Sequence, residues 1–260
     1  MENKGYQRFF IHLAYKGTNY HGWQVQPNAV SVQQTLNKAL SVILREEINV
    51  IGAGRTDAGV HASSFYGHFD IVNQTKPDLN HLVFKLNCYL PRDIAIYNIF
   101  PVDSKNHSRF DATARTYKYF ISTRKDPFNT ETSYYLFKKV SVEKMNEACS
   151  ILFNYKDFTS FSKRSTEAKT NLCDIYKAEW KQKVDQLTFT IEANRFLRNM
   201  VRSIVGTMIE LGEGKLSLDD LKKIIEAKDR TLAGYSMPAN GLFLTDIKYP
   251  PAIFEHYSNF

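Results

Sequence analysis

Apolar and polar positions alternate at the start of the chain. Phe9, Ile11, Leu13 and Tyr15 interleave with Phe10, His12 and Ala14, a period of two that predicts a strand. From Lys16 to Trp23 the chain is rich in glycine, polar and aromatic residues and reads as a loop. The period then changes. Ser31-Val32-Gln33-Gln34 has the form of a capping box, and Val32, Leu36, Ala39, Leu40, Ile43 and Leu44 fall on one helical face behind it. Short strands are predicted near residues 48–53 and 65–72, on either side of a glycine-rich segment. A helix carrying Leu79, Leu82, Val83 and Leu86 starts near Pro77, and a strand covers 94–100.

The second half repeats the style. Residues 115–122 read as a strand, and Val142, Met145, Cys149 and Leu152 mark a helix with Ser141 as its N-cap. Residues 172–180 and 186–193 form a strand pair. A helix is predicted over 195–211, stopped by Gly212. Ser217 to Asp220 is another capping box, opening a helix through Leu218, Leu221, Ile224 and Ile225, and 242–249 is a last strand. This order implies an α/β (α+β) fold of two halves, each an antiparallel or mixed sheet covered by helices. The boundary is placed in the irregular stretch 103–109, giving an N-terminal half over residues 1–105 and a C-terminal half over 106–260. A second irregular stretch, 161–171, is basic through Lys163, Arg164 and Lys169. It reads either as a mobile RNA-contacting loop or as a solvated surface loop.

Composition narrows the class. With 43% hydrophobic and 23% charged residues the chain is ordinary for a folded protein. Lys and Arg outnumber Asp and Glu by 34 to 27, a net charge of +7 that favours polyanionic partners without requiring them. Cys88, Cys149 and Cys173 are far apart and odd in number, so neither a disulfide framework nor a metal cluster is expected, and a reducing cytoplasmic setting fits. Residues 1–7 lack an apolar signal region. The longest apolar run, 200–211, is broken by Ser203, Gly206, Thr207 and Glu210, so no membrane span is expected.

Three segments could carry chemistry. In Gly52-Ala53-Gly54-Arg55-Thr56-Asp57-Ala58-Gly59-Val60-His61, three glycines would let a tight turn present Arg55 and Asp57. No Gly-Lys-Ser/Thr ending follows, the glycine spacing departs from the dinucleotide fingerprint, and an acid in the cradle would repel phosphate. On residues alone, a reactive carboxylate and a glycine-rich turn with a surface ion pair both remain open. In the predicted helix 195–211, Arg195, Arg198 and Arg202 form one cationic stripe among Phe196, Leu197, Met200, Val201, Ile204 and Val205. A buried Arg needs an anion, either an internal carboxylate or a phosphate in a groove, and Gly206 would let another element approach closely. Finally, Arg109-Phe110-Asp111-Ala112-Thr113-Ala114-Arg115-Thr116-Tyr117-Lys118-Tyr119 mixes cations and rings, as suits flipped nucleotides. On a strand Arg115, Tyr117 and Tyr119 share a face, which could equally be a core face.

These residues resemble a known family. Gly54-Arg55-Thr56-Asp57-Ala58-Gly59-Val60-His61 resembles the signature of the TruA-type tRNA pseudouridine synthases. The likeness continues in order through Gly22-Trp23-Gln24 with Ser31-Val32-Gln33, Asn87-Cys88-Tyr89-Leu90-Pro91-Arg92-Asp93-Ile94, and Ala112-Thr113-Ala114-Arg115-Thr116-Tyr117. It goes on through Asp157-Phe158-Thr159-Ser160-Phe161, Phe196-Leu197-Arg198-Asn199-Met200-Val201-Arg202 and Ala227-Lys228-Asp229-Arg230. The resemblance implies two related halves with RRM-like elements, forming a continuous mixed, largely antiparallel sheet flanked by helices, with a central catalytic cleft. It implies a cofactor-free and metal-free homodimer that isomerises uridines in the anticodon arm of tRNA, at positions thirty-eight, thirty-nine and forty, by base flipping. Asp57 matches the family's essential Asp, Tyr117 its Tyr against the target base, and Arg55 and Arg202 its basic residues around the carboxylate. The stretch 161–171 matches least well.

The chemistry needs little else. The N1–C1′ bond breaks, the uracil turns, and C5 joins C1′, so no redox group, metal or ATP enters. A carboxylate can hold the reactive centre meanwhile. A cation ~4–6 Å from a carboxylate favours its ionised form, and Arg202 is the candidate by family analogy. Arg55 would grip phosphate or help displace the base. Rival readings are a non-catalytic RNA-binding module, a synthase acting on another RNA, and a nucleosidase. The last would usually pair a second acid with the first, and none is apparent.

Overall fold

The computed structural model describes residues 5–72, 77–163 and 170–255. In chain order the strands are β1 (Gln7–Tyr15), β2 (Ile51–Gly52), β3 (His61–Ile71), β4 (Ile94–Val102), β5 (Ala114–Ser122), β6 (Tyr134–Tyr135), β7 (Ile175–Lys183), β8 (Gln186–Ala193) and β9 (Leu242–Lys248). The helices are α1 (Val32–Leu44), α2 (Leu79–Tyr89), α3 (Val142–Leu152), α4 (Met200–Gly212) and α5 (Leu218–Ala227). The strands form an open, mixed and mostly antiparallel sheet in the order β4-β1-β3-β9-β5-β8-β7, with β2 on β3 and β6 parallel to β5. The α/β fold expected from the sequence is the fold observed.

By contact density the chain divides into two compact units, residues 1–113 with 244–260, and residues 114–243. In the first unit β1 pairs antiparallel with β3 and β4. Phe9, Ile11 and Leu13 lie on one side of β1 with Leu36 and Leu40 of α1 also in the core, while Phe10 is buried on the other side against Phe100 and Tyr249. In the second unit β8 pairs with β5 and β7, and Tyr119, Trp180, Phe189 and Ile191 are buried together with Met145 of α3 and Ile204, Val205 and Met208 of α4.

Local signals place most helix starts. Ser31 accepts from the Gln34 amide, Ser141 from Lys144, and Ser217 with Asp220 closes the full reciprocal box. Asp78, one residue after Pro77, caps α2. Three expectations are corrected. The strand near 48–53 shrinks to Ile51–Gly52. The helix expected from Arg195 begins at Met200, because Asn199 adopts a left-handed conformation with φ of 68° that ends any helix before it. Gly212 is the last helical residue rather than the stop, and the left-handed glycine that closes this end is Gly214, with φ of 79°. Of the basic stretch 161–171, residues 164–169, with Arg164 and Lys169, lie outside the described residues.

Candidate active site

Asp57 opens a tight turn between β2 and β3. Its carbonyl accepts from the Val60 amide at 3.1 Å, and Gly59 between them has φ of 77°. A type II turn requires a positive φ at that third position, which glycine meets without strain. The flanks are fastened by groups far away in sequence. The Thr56 carbonyl accepts from the Trp23 amide at 3.2 Å, the Thr56 hydroxyl meets the Tyr15 hydroxyl at 2.9 Å, and the Gly59 amide donates to the Tyr20 carbonyl at 3.3 Å. His61, fully buried, accepts at Nδ1 from the Gly17 amide at 3.0 Å. Asp57 itself is half-buried and Arg55 exposed.

Two glycines outside the motif make this fit possible. Gly22 has φ of 87°, and a Cβ there would strike the Thr56 carbonyl oxygen. A Cβ at Gly17 would strike the Val60 carbonyl. Within the motif, a Cβ at Gly52 would lie 2.5 Å from the buried Trp23 indole, whereas one at Gly54 would meet nothing within 4 Å. Gly54 therefore leaves open space next to Arg55 and three residues before the turn that Asp57 opens. The loop of Gly17 and Gly22 is itself anchored on Asp93, which accepts from Tyr20 Oη at 2.6 Å, Asn19 Nδ2 at 3.0 Å and, through its carbonyl, the Lys16 amide at 2.8 Å. Asp93 thus serves as scaffold, as does Asn87, whose amide spans the Ile96 N–H and C=O at 2.8 Å each.

Tyr117 and Arg202 lie in the second unit. Tyr117 is half-buried on β5, opposite Ile191, with its ring edge-on to Phe196 at 5.1 Å and 87°. Arg202 is in the first turn of α4, half-buried. Its Nε donates to the Met237 carbonyl, and the Met237 amide donates back to the Arg202 carbonyl at 3.2 Å. Burial pushes the pKa of the neighbouring Tyr119 phenol up while the positive charge of Arg202 opposes it, and that phenol donates to the Pro238 carbonyl at 2.8 Å. The stripe expected from Arg195, Arg198 and Arg202 does not form, since the first two precede the helix. Asn199, which breaks the stripe, spends its side-chain amide on Ser203 Oγ at 3.0 Å and on Ser236 Oγ.

Sequence reasoning missed the strap that orients Arg202. Residues 230–238 cross α4, with the Tyr235 carbonyl against Gly206 so closely that a Cβ there would overlap it. Arg230 folds the strap onto itself. Its guanidinium donates to the Ala233 and Gly234 carbonyls at 3.2 and 3.1 Å and to Ser236 Oγ at 2.9 Å. Gly234 donates to Thr207 Oγ1 at 2.9 Å, which donates in turn to the Ser203 carbonyl at 3.0 Å. The signals available were Gly206, read as a close-approach site, and Arg230 at the end of Ala227-Lys228-Asp229-Arg230. Among the described residues no group of three His, Cys, Asp or Glu is placed to hold a metal, and no helix is long and apolar enough to cross a membrane.

Comparison with known proteins places this arrangement in context. The family model described as tRNA pseudouridine synthase matches residues 12–111 and 148–250. A tRNA pseudouridine synthase A of Bacteroides fragilis is 56% identical over 96% of this chain and 99% of its own length. The protein of the same name from Parabacteroides distasonis is 53% identical over 95% and 98%, and one from Thermoanaerobacter pseudethanolicus is 39% identical over 92% and 98%.

Proposed function

The chain belongs to the tRNA pseudouridine synthase family, and we propose that Asp57 is the nucleophile with which it isomerises uridines of the tRNA anticodon arm to pseudouridine. The observation that carries this reading is the Asp57 turn, a carboxylate presented by a rigid backbone beside the open space at Gly54. A carboxylate placed so can hold the reactive centre while the N1–C1′ bond breaks, the uracil turns, and C5 takes the place of N1. No electron or phosphoryl group is transferred: the C5–C1′ bond replaces the N1–C1′ bond, the C5 hydrogen leaves as a proton to water, and the freed N1 takes up a proton.

The other roles follow from the family likeness and from what each side chain is held to do. Tyr117, steadied edge-on by Phe196, is the platform against which the flipped base rests. Leaving the helical stack costs a few kcal/mol, and stacking on an aromatic ring returns roughly 1–3 kcal/mol. By the family likeness Arg202 is the basic residue that supports the catalytic carboxylate, and Arg55, exposed on the same segment as Asp57, grips phosphate or helps displace the flipped base. The nucleophile then belongs to the N-terminal half, drawn at residues 1–105, and Tyr117 and Arg202 to the C-terminal half, drawn at 106–260. The same reading has the enzyme act as a homodimer in the cytoplasm, with the target positions thirty-eight, thirty-nine and forty.

The test uses a tRNA transcript labelled with tritium at uridine C5. Isomerisation releases that hydrogen, and the purified chain, with no added metal or nucleotide, is expected to release it from anticodon-arm uridines. Release from uridines elsewhere in the molecule, with the anticodon arm untouched, would contradict the substrate assignment.

A further inference from the structure

The segment Arg109-Phe110 is not used by the chemistry above, yet it is one of the most deliberately presented parts of the first unit. Phe110 is 74% exposed. Its ring lies on the His107 imidazole at a centroid distance of 4.2 Å and an angle of 33°, and the Arg109 guanidinium carbon stands 5.7 Å from the ring centre. A single exposed ring is ordinary on a protein surface; what distinguishes Phe110 is that an imidazole backs one side of its ring and a guanidinium flanks it.

The loop is rigid by hydrogen bonding. His107 Nδ1 accepts from the Arg109 amide at 3.1 Å and the Phe110 amide at 3.3 Å, which sets the ring proton on Nε2 and fixes the backbone under Phe110. Burial, and then the charge of Arg8, lower the His107 pKa, which favours that neutral form. The His107 amide donates to Asp111 Oδ2 at 2.8 Å, Asn106 Nδ2 to the same oxygen at 3.3 Å, and the Asp111 amide returns to the His107 carbonyl at 3.0 Å. Below, the Asn106 carbonyl accepts from Arg8, which is paired with Asp70 at 2.7 Å. Ser108 is clamped by His68 Nδ1 at 2.8 Å, the Ile51 carbonyl at 2.8 Å and the Tyr249 hydroxyl at 2.6 Å.

We propose that Phe110, backed by His107 and flanked by Arg109, is a stacking platform for an unpaired nucleobase of the RNA substrate, distinct from the platform at Tyr117. The charges choose RNA over a protein partner. Lys105, Arg109 and Asp103 are exposed on this loop; in sequence the two cations lie on the Phe110 side of Asp103, which accepts from the Lys105 amide, and the Asp111 carboxylate accepts from the His107 amide. A ring offers the sequence-tolerant contact and the cation meets the adjoining phosphate. The inference rests on tRNA being the substrate, and its test separates the two claims.

The experiment measures equilibrium binding of a tRNA transcript to the full chain at one fixed salt concentration. Phe110→Ala is expected to weaken binding about 10-fold with an unchanged melting temperature, because the ring is exposed. Phe128→Ala, at a residue 94% exposed on a separate turn, is the control and should bind as the wild type does. Phe110→Trp should restore binding and add a probe, since the native Trp23 and Trp180 are 1% and 3% exposed. Its emission should be quenched by tRNA. Binding by Phe110→Ala within about twofold of wild type, or emission that tRNA leaves unchanged, overturns the platform while leaving tritium release, and so the assigned reaction, intact. Quenching that grows with protein concentration in the absence of RNA would assign the surface to a second copy of the chain and overturn it too. A wild-type chain that neither binds nor isomerises tRNA removes the substrate reading and this inference together.

Discussion

Asp57 and Arg202 are held by different means. Asp57 sits on a turn that exists because atoms are missing: Gly17 and Gly22 let backbone press against backbone, and Gly59 supplies the positive φ. Arg202 sits on a helix whose partner strap exists because hydrogen bonds are present, through Arg230, Thr207, Asn199 and Ser236. The first arrangement rests on close backbone approach at Gly17 and Gly22; the second joins one such approach, at Gly206, to a set of donated hydrogen bonds. Catalytic carboxylates need fixed position, which close backbone packing supplies. The Arg202 side chain has its direction fixed by the bond its Nε donates to the Met237 carbonyl.

The sharpest break is Gly22→Val. A β-branched residue at φ of 87°, with its Cβ against the Thr56 carbonyl, is strained whatever the neighbours do. The strain should displace Asp57 and lower the rate of tritium release by ~100-fold or more, with a clear fall in melting temperature. Next is Arg230→Ala. Removing three donated bonds should cost about 2 kcal/mol of stability and lower kcat ~10-fold, with KM for tRNA little changed, because the strap rather than the RNA surface is loosened. An Arg230→Ala enzyme with wild-type kcat would separate the strap from Arg202's role. Tyr117→Phe retains the ring and its edge contact with Phe196, so turnover is expected within a few-fold of wild type; a loss of 100-fold or more would make the hydroxyl part of the chemistry. The smallest effect belongs to Gly54→Ala. Nothing lies within 4 Å of the added Cβ, so the melting temperature should not move, and any loss of turnover then reports crowding of the substrate.

Much of this was legible because it is local. Ser141 and Ser217 cap helices from within three residues, and the period-two pattern of β1 and β8 follows from a buried face. The Gly-rich segment announced a turn, and the ordered motifs announced the family. What escaped depends on partners distant in sequence. The start of α4 is set by Asn199, whose left-handed conformation comes with an Asn199–Ser236 bond across 37 positions. An apolar stripe continuing through Phe196 and Leu197 hides that break. The need for Gly17 and Gly22 arises from the carbonyls of Val60 and Thr56, about which a loop composition says nothing. Asp93 and Asn87 were visible as motif letters, but their work as anchors for the 17–23 loop and for the Ile96 backbone is a property of the folded chain. Arg230 likewise stood at the end of a motif without a role, because two of its acceptors are backbone carbonyls that any sequence carries and the third, Ser236 Oγ, belongs to the strap itself.

The central claim is that Asp57 performs the chemistry rather than shaping the turn, and one substitution separates the two. Asp57→Asn preserves the side-chain volume and the backbone bond to Val60, so fold and tRNA binding should persist. Tritium release from C5 of anticodon-arm uridines should fall to background in this variant. Release at a rate close to that of the wild type, from a folded Asp57→Asn protein that binds tRNA, would contradict the account.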